Sequence, residues 1–578
     1  MYCVRNVGNT EMYDGEEFIP MLCEMFSRTL VFSAEKHFET INPKTKSNLK
    51  KLPYFSKEYK DAHAEHKSVF AEWRKSGRPS DSKHPAKEAV LQSRRHLQKV
   101  ARTEESMKSM KQNDDLMDTF HNNPSQIYDK LKKTRGVQVK RIEIPFIETL
   151  SGKYTGENIL EGFAANTEIL CSENDDKTEF DNEAYSMFIK DNMIIMDITS
   201  DEKVAIPQMN LIQLKDILFK KLKVNKACDV FKLTVEHLRN AGDESLLLIL
   251  LNNIILHINV LSSPELNTSV ASVIYKGKDK PVFQHKSHRL VRVTPLFARI
   301  IDEYMRPALI DLVMPMQNCN QYGFTEKVSY MLGALQRHEV EKHCVDMKKT
   351  FFGVSLDGGS AFEVVNRQIQ TRELYCAGEV GQYWQASHSS YQNSQTCIKM
   401  NGKLSRKFTE IKGVKQGRNK SSDHYKVYIA PLLDTLDKAN LGVWIGNVCV
   451  SVSAVADDVY PMSDNQSKLQ ALLDIAEQYG NMYRIEYGAT KTKVTVVGSE
   501  VDMNYFEEVT PWKMSNDSVK GPKNNEHLGQ IVSVRRQEEK KLDLRLEKGR
   551  KSLFGFLGAG FAFKCSLSPS SELTHVQF

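Results

Sequence analysis

The sequence lacks closely spaced cysteine pairs. Its ten cysteines are scattered from Cys3 to Cys565, and no two of them form a Cys-x-x-Cys pair. A zinc ribbon or knuckle needs neighbouring thiolates to complete a tetrahedron, so no such site is indicated. His63 and His66 could share a helix face, but two ligands do not make a metal site. The cysteine pattern is typical of reduced, buried thiols in an intracellular protein.

Long apolar runs are also missing. The first residues have no apolar core of the kind that a signal peptide needs. The most apolar stretch, 246–261, is too short for a bilayer and is interrupted by Asn252, Asn253, His257 and Asn259. We therefore predict a buried helix over 246–261, no membrane contact, and an intracellular protein of the nucleus or cytoplasm that is not secreted.

Positive charge is concentrated near the beginning of the chain. The net charge of the 578 residues is +6, but residues 44–111 hold 18 Lys and Arg against 8 Asp and Glu, so the rest is slightly acidic. Such a segment favours an acidic polymer as partner, usually nucleic acid. A solvated helix face is the commoner explanation of a charge run taken alone. The aromatic residues within this segment suit base stacking or, more commonly, helix packing: Tyr54, Phe55, Tyr59, Phe70 and Trp73.

The length of the chain predicts two to four domains. We place a basic helical region at 1–140, with a helix break near 77–79 and Pro85, and a connector at 141–207. From about 208 helical and strand-like segments alternate without a regular strand–helix–strand repeat, which predicts an α+β domain with an antiparallel sheet. The helices are predicted at 213–222, 234–261, 294–312 and 466–479, and the strands at 350–356, 445–455 and 493–498.

Two acidic positions each follow an apolar strand. One is Asp357, at the end of 351–357, and the other is the pair Asp457 and Asp458 within 452–460. Adjacent carboxylates at the tip of a hairpin repel each other unless a cation neutralises them. A third carboxylate from a neighbouring strand would complete a site of hard oxygen ligands for Mg²⁺.

We therefore predict that Asp357 and Asp457 bridge two Mg²⁺ ions, with Mn²⁺ as an alternative, and that Asp458 supports them. Two such ions, about 3.5–4 Å apart, can carry out nucleotidyl transfer. For either acidic position alone, the alternative is an aspartate that caps a turn at the end of a strand.

Short motifs in a fixed order resemble those of reverse transcriptases of non-LTR (LINE-type) retrotransposons, over roughly 210–560. The motifs are YKGK at 275–278, SHRL at 287–290, QYGF at 321–324, LDGGSAFE at 356–363, GVKQG at 413–417, VADD at 455–458, TKTK at 490–493 and HLG at 527–529. One such motif is weak evidence, but six or more in the right order are specific. Much of 44–200 also resembles the linker that precedes the polymerase in that family.

The resemblance implies a right-hand polymerase fold, with fingers and palm at 208–535 and the start of a thumb at 536–578. It implies an RNA-directed DNA polymerase that adds deoxynucleotides to the 3′ end of a DNA primer on an RNA template. The sequence stops within the thumb of that pattern, so we expect a C-terminally truncated fragment of a larger element product.

Site roles also follow from the resemblance. Phe362 would be the steric gate that excludes ribonucleotides, and Arg289 would grip the triphosphate together with Lys276 or Lys278. Gln416 and Gly417 would line the nascent base pair. Lys491, with Lys493 as the alternative, would donate a proton to pyrophosphate.

Three positions depart from the family pattern. Residues 420–422 are Lys-Ser-Ser where the family has Leu-Ser-Pro, Val455 replaces an aromatic residue, and Gly488 replaces an asparagine. The Lys-Ser-Ser departure and the early end of the sequence favour a second hypothesis, a catalytically inactive relic that still binds nucleic acid through Arg289, the 44–111 segment and the palm cleft. A third hypothesis is a maturase-like protein that binds structured RNA without polymerising. The three aspartates favour the enzyme.

Overall fold

The computed structural model describes the residues in these ranges: 15–37, 56–81, 84–122, 144–172, 179–242, 244–277, 280–358, 361–415, 417–489, 492–499, 502, 505–506, 509, 512–514, 517–519, 524–528, 530–533, 542–543, 545–547 and 549–550. The chain divides into two compact units. The large unit comprises 1–39 and 143–537, and the small unit comprises 40–142 and 538–578.

Helices and strands are mixed along the described chain without a regular alternation. The helices are α1 Gly15–His37, α2 Lys57–Lys75, α3 Pro85–Asn122, α4 Ile159–Leu170, α5 Asn182–Asp201, α6 Leu211–Asp216, α7 Val235–Arg239, α8 Ser245–Leu256, α9 Pro264–Asn267, α10 Leu296–Val313, α11 Met331–Asp346, α12 Ala361–Val364, α13 Arg367–Cys376, α14 Gly381–Tyr391, α15 Asn419–Lys438 and α16 Gln466–Tyr483. The strands are β1 Phe146–Thr149, β2 Gly152–Thr155, β3 Thr268–Tyr275, β4 His288–Val293, β5 Phe351–Asp357, β6 Gln395–Met400, β7 Lys403–Thr409, β8 Val443–Ile445, β9 Val448–Val450, β10 Val452–Val455, β11 Asp458–Ser463, β12 Lys493–Val497, β13 Lys513–Met514, β14 Asp517–Ser518, β15 Asn524–His527 and β16 Gln530–Ser533.

The small unit contains a hairpin of the two helices α2 and α3. Ser56 begins α2 by accepting a hydrogen bond from the Tyr59 backbone N–H, which satisfies one free donor of the first turn. Trp73, near the end of α2, donates its indole N–H to the Pro79 carbonyl at 3.2 Å, and the Lys87 ammonium lies 4.9 Å from its ring centroid. Trp73 is therefore explained by helix packing, while Phe70 remains exposed.

The central sheet of the large unit has the strand order β10-β11-β5-β12, and every neighbouring pair is antiparallel. Alternate residues of β5 point to opposite faces, as the pleat requires. Phe352, Val354 and Leu356 pack with α15 and α16 in the main core. Phe351 packs on the other face with residues of α11 and β11. This sheet is the antiparallel α+β core that the sequence predicts.

A second sheet, the mixed sheet, has the order β4-β3-β6-β7. Its β3 and β6 strands run parallel, which the antiparallel prediction did not include. One face is buried against α4 through Phe163, Ala271 and Leu290. The two sheets are interleaved along the chain, because β5 lies between β3 and β6 in sequence and β6 and β7 lie between β5 and β10.

A helical core accompanies the two sheets. Leu251 and Ile254 of α8 pack there with Phe297 of α10 and Leu22 of α1. The predicted region 1–140 is divided between the two compact units, because 1–39, which include α1, belong to the large unit and 40–142 to the small unit. The helix predicted at 246–261 ends at Leu256, and a 3-10 turn at Ile258–Ser262 completes the segment. In the part of the chain that the structure describes, no helix has both the length and the apolar character to cross a membrane.

Candidate functional site

The backbones of Asp357 and Asp458 lie side by side in the central sheet. Asp357 is the last residue of β5, Asp458 is the first residue of β11, and the two are directly paired in the antiparallel register. Opposite Cα atoms in such pairs are about 4.5–5.5 Å apart. The fold therefore makes neighbours of two acidic positions that are about a hundred residues apart in the sequence.

Asp457 occupies the turn between β10 and β11. Val455 pairs with Asp458, so Ala456 and Asp457 form a two-residue hairpin turn, and both aspartate side chains are exposed. Ala456 has a φ of 60°, in the left-handed region. That conformation costs a residue with a Cβ roughly 1–2 kcal/mol, so surrounding contacts must hold it.

The segment QYGF at 321–324 lies against this turn. Gln321 Oε1 accepts hydrogen bonds from the Ala456 and Gly323 backbone N–H groups, both at 2.8 Å. Gln321 Nε2 donates to the Ala456 carbonyl at 3.1 Å. The Tyr322 N–H donates to the Ala454 carbonyl at 2.8 Å, which attaches the segment to β10. The motif thus contacts the backbone of the hairpin that carries Asp457.

Three aromatic rings, those of Phe324, Phe362 and Tyr425, form a cluster. Phe362, which is half-buried, stacks on Tyr425 with ring centroids 5.0 Å apart and meets Phe324 edge-on at 5.8 Å. Burial raises the pKa of the Tyr425 hydroxyl well above its usual value, and the negative charges of Asp457 and Asp458 contribute to this shift. Tyr425 therefore links the predicted steric gate to the acidic turn, and no sequence motif had marked it.

The loop GVKQG packs against the helix that carries Phe362. The Val414 N–H donates to the Phe362 carbonyl at 2.8 Å, and the Lys415 ammonium donates to the Asn267 carbonyl at 2.7 Å. Gly417 has a φ of +114°, and a Cβ there would lie 2.7 Å from the Arg292 carbonyl oxygen. Glycine at 417 thus allows the loop to approach β4 closely. Gln416 lies outside the described residues.

The predicted triphosphate ligands differ in their surroundings. Arg289 is exposed on β4 opposite Ile274. Within the described residues its guanidinium forms no ion pair. Lys276 is half-buried, and its ammonium donates to the Lys286 carbonyl at 2.7 Å, which ties it to the β3–β4 connection. Arg289 is therefore the more available cation, and Lys278 lies outside the described residues.

The remaining motif residues belong to the TKTK and HLG motifs. Lys491 lies outside the described residues, while Lys493, at the start of β12, is exposed and pairs in register with Ser355. His527 of the HLG motif is buried against Tyr460, with ring centroids 4.3 Å apart. Burial lowers the pKa of His527 to about 3, which keeps the ring neutral. His527 thus serves packing of the central sheet.

Lys420, which departs from the family pattern, has an acidic partner in the fold. Lys420 is buried at the start of α15, and its ammonium lies 3.8 Å from a carboxylate oxygen of Glu379 and donates to the Ser387 hydroxyl. Arg418, two residues before Lys420, forms a second buried pair with Asp302. A buried cation needs such a counter-charge, so Lys420 fits its surroundings although it departs from the family pattern.

The described side chains include those of Asp457 and Asp458 but not that of Asp357. They contain no group of three or more His, Cys, Asp or Glu residues arranged to hold a metal ion. The acidic turn therefore offers two described carboxylates, and the register puts the Asp357 backbone beside them.

The fold and the site together define an α+β domain in which acidic positions meet at one end of an antiparallel sheet. Residues 276–548 match the family model described as reverse transcriptase (RNA-dependent DNA polymerase). The protein therefore contains a reverse transcriptase domain and is, by class, an RNA-directed DNA polymerase, a nucleotidyltransferase. An enzyme of this class binds an RNA template, a primer and deoxynucleoside triphosphates, and uses divalent metal ions. Arg289, Asp357, Asp457 and Asp458 all fall within the matched range.

Proposed function

We propose that this protein is the reverse transcriptase part of a non-LTR (LINE-type) retrotransposon protein and extends a DNA primer by two-metal nucleotidyl transfer. In this proposal residues 208–535 form the fingers and palm of a right-hand polymerase. The basic helical region 1–140 and the connector 141–207 precede them, and a thumb begins at 536. The order of the short motifs supports the non-LTR type.

One observation carries the catalytic part of the proposal. The register of β5 and β11 pairs Asp458 with Asp357, and the turn that contains Asp457 adjoins that pair. Aspartate disfavours strands, so the presence of Asp357 and Asp458 at the same end of two paired strands, with Asp457 in the adjoining turn, needs a cause. Binding of cations by the carboxylates supplies one.

The donor set fits magnesium. Asp457 and Asp458 are adjacent and exposed, and their negative charges add to the effect of burial in raising the pKa of the Tyr425 hydroxyl. Carboxylate oxygens are the ligands that Mg²⁺ prefers, and Asp357 would be the third ligand. When bound, the ions would lower the pKa of the primer 3′-hydroxyl and neutralise charge on the leaving pyrophosphate.

The other residues of the site would bind and select the nucleotide. Arg289 presents an exposed guanidinium that suits bidentate contact with phosphate. The ring of Phe362, fixed by Tyr425 and Phe324, would clash with a ribose 2′-hydroxyl. Gly417 would let the nascent base pair approach the loop. The roles of Gln416 and Lys491 stay predictions from the motifs.

Homopolymer-templated primer extension in Mg²⁺ tests the proposal. We expect the wild-type protein to extend an oligo(dT) primer on poly(rA), and Asp457→Ala and the nearly isosteric Asp457→Asn to abolish extension. Template–primer binding, measured separately by fluorescence anisotropy, should change little, because the carboxylate acts through the cations. Asp114→Asn, at another Asp-Asp dipeptide with an exposed side chain on α3, is the matched control and should retain full activity.

Two results would contradict the proposal. Binding of template–primer that persists in EDTA, with no extension by the wild-type protein, would favour the inactive relic or the maturase-like binder. Loss of binding and of folding together in Asp457→Asn would make this aspartate structural.

A further inference from the structure

We propose that Gln321 is a positioning residue. It holds the turn of the β10–β11 hairpin and so fixes the position of Asp457. The inference rests on the proposed function of Asp457. It assigns to one buried side-chain amide the task of binding both polar backbone groups of the residue that precedes this aspartate.

Two of the hydrogen bonds of Gln321 are directed at a single residue, Ala456. Gln321 is 3% exposed, so its hydrogen bonds are shielded from water. The Oε1 atom accepts from the Ala456 N–H at 2.8 Å, and the Nε2 atom donates to the Ala456 carbonyl at 3.1 Å. In a two-residue hairpin turn these backbone groups usually face solvent, whereas here one side chain satisfies both.

The chemistry of the contact requires a carboxamide. Asparagine and glutamine are the side chains that carry an acceptor oxygen and a donor nitrogen on one planar group. Glutamate at 321 would turn a second acceptor toward the Ala456 carbonyl, and leucine would leave the N–H and the carbonyl without partners. An unpaired buried polar group costs about 1–3 kcal/mol, which makes the pairing at 456 selective for glutamine.

The segment that precedes Gln321 is itself attached to β10 and to α15. The Ala454 N–H donates to the Asn320 carbonyl at 2.8 Å, so the segment before Gln321 runs along β10. Asn320 and Asn318 donate their side-chain amides to Asp437 and Asp434 of α15, at 2.8 and 2.7 Å. The position of the Gln321 amide is therefore set by a buried helix, as support for a precise site requires.

The turn needs this support because Ala456 is in the left-handed region, with a φ of 60°. A turn that relaxes to an unstrained conformation would move the next residue, Asp457, relative to β5. A displacement of about 1 Å in a catalytic group can lower the rate about a hundredfold. Gln321 thus affects catalysis through the turn, without contacting a substrate.

The test compares Gln321→Leu with Gln370→Leu, which removes another fully buried glutamine. Within the described part of the chain, neither amide atom of Gln370 has a hydrogen-bond partner. We expect Gln321→Leu to lower kcat at least about tenfold and to raise the Mg²⁺ concentration for half-maximal extension, with little change in KM for dTTP. Gln370→Leu should match the wild type in all three. Equal kcat in the wild type and Gln321→Leu would overturn the inference.

A second variant and a second measurement keep the test independent of folding and of activity. Ala456→Gly, added to Gln321→Leu, should recover part of kcat, because glycine adopts the left-handed conformation without the support. Hydrogen exchange of the Ala456 amide should be slow in the wild type and fast in Gln321→Leu. An inactive wild type would refute the proposed function alone, and equal exchange in both proteins would refute the role of Gln321.

Discussion

Gly323 lies so close to Ala456 that no side chain fits between them. A Cβ on Gly323 would fall 2.1 Å from the Ala456 backbone nitrogen and 2.8 Å from its Cα. Both atoms belong to the backbone, so the contact cannot be relieved by rotating a side chain. The QYGF segment therefore needs glycine at 323 in order to reach the acidic turn.

Gly323→Ala should displace that turn. We expect a loss of about 1–3 kcal/mol in the free energy of unfolding, as for other overpacked positions, together with a fall in kcat of at least tenfold. Urea denaturation and primer extension measure the two effects. Gly549→Ala is the control, because a Cβ at 549 meets nothing within 4 Å. Normal extension by Gly323→Ala would show that the turn tolerates the shift.

Phe362→Val should weaken discrimination between sugars. Removing the ring opens space beside Tyr425, so we expect the ratio of kcat/KM for dTTP over UTP to fall at least about tenfold. Phe362→Tyr keeps the ring and should keep the ratio. Steady-state extension with each nucleotide gives both values. An unchanged ratio in Phe362→Val would remove the steric-gate assignment.

Arg289→Ala should raise KM for the incoming nucleotide at least about tenfold, since a charge-assisted contact with phosphate contributes about 1.5–3 kcal/mol. Arg406→Ala is matched in residue type and sheet. Arg406 lies on β7, where its guanidinium pairs with Glu168 and Glu161. That control should leave KM unchanged. Equal effects of the two substitutions would mean that Arg289 acts only as general positive charge.

The buried pair of Lys420 and Glu379 can be tested by a double substitution. Lys420→Leu alone leaves the Glu379 carboxylate buried without its cation, and we expect a loss of about 3–5 kcal/mol in the free energy of unfolding. Glu379→Gln added to Lys420→Leu should restore most of it, because a neutral amide tolerates burial. Urea denaturation of Lys420→Leu, Glu379→Gln and the double variant decides between coupling and simple additivity.

His527 should make the fold sensitive to acid. Burial lowers its pKa from 6.5 to about 3, so the unfolded chain binds the proton first as the pH falls. The stability that neutral His527 contributes is complete above about pH 6.5 and is lost as the pH falls toward 3. Between pH 7 and pH 4, we expect the free energy of unfolding to fall by about 3 kcal/mol less in His527→Phe than in the wild type. His96→Phe, at an exposed position of α3, should behave as wild type.

Much of the fold follows from local sequence patterns. The helix predicted at 294–312 is Leu296–Val313, and the strand predicted at 350–356 is Phe351–Asp357. The parallel pairing of β3 with β6 was missed, because partners far apart in the chain leave no mark in either strand. The segment predicted as a single alternating strand at 445–455 forms three short strands instead.

Acidic residues that interrupt apolar strands led to the prediction of the site. That contrast predicts Asp357 together with Asp457 and Asp458, and the register of the sheet pairs Asp357 with Asp458. The metal-binding roles of these residues stay predictions. The contact of Gln321 with Ala456 was not predictable, because it joins positions 135 residues apart and depends on one amide orientation. Likewise, Lys420 stood out in the sequence, but only the fold identifies Glu379 as its partner.

The interleaving of the two sheets constrains how the chain can be assembled. During synthesis β5 emerges before β6 has been made, and β10 and β11 follow later still. Until about residue 497, the end of β12, has left the ribosome, β5 therefore exposes an unpaired edge, a state that invites aggregation. Neither sheet can be expressed as a separate fragment, and we expect refolding to be slow because both sheets depend on distant pairings.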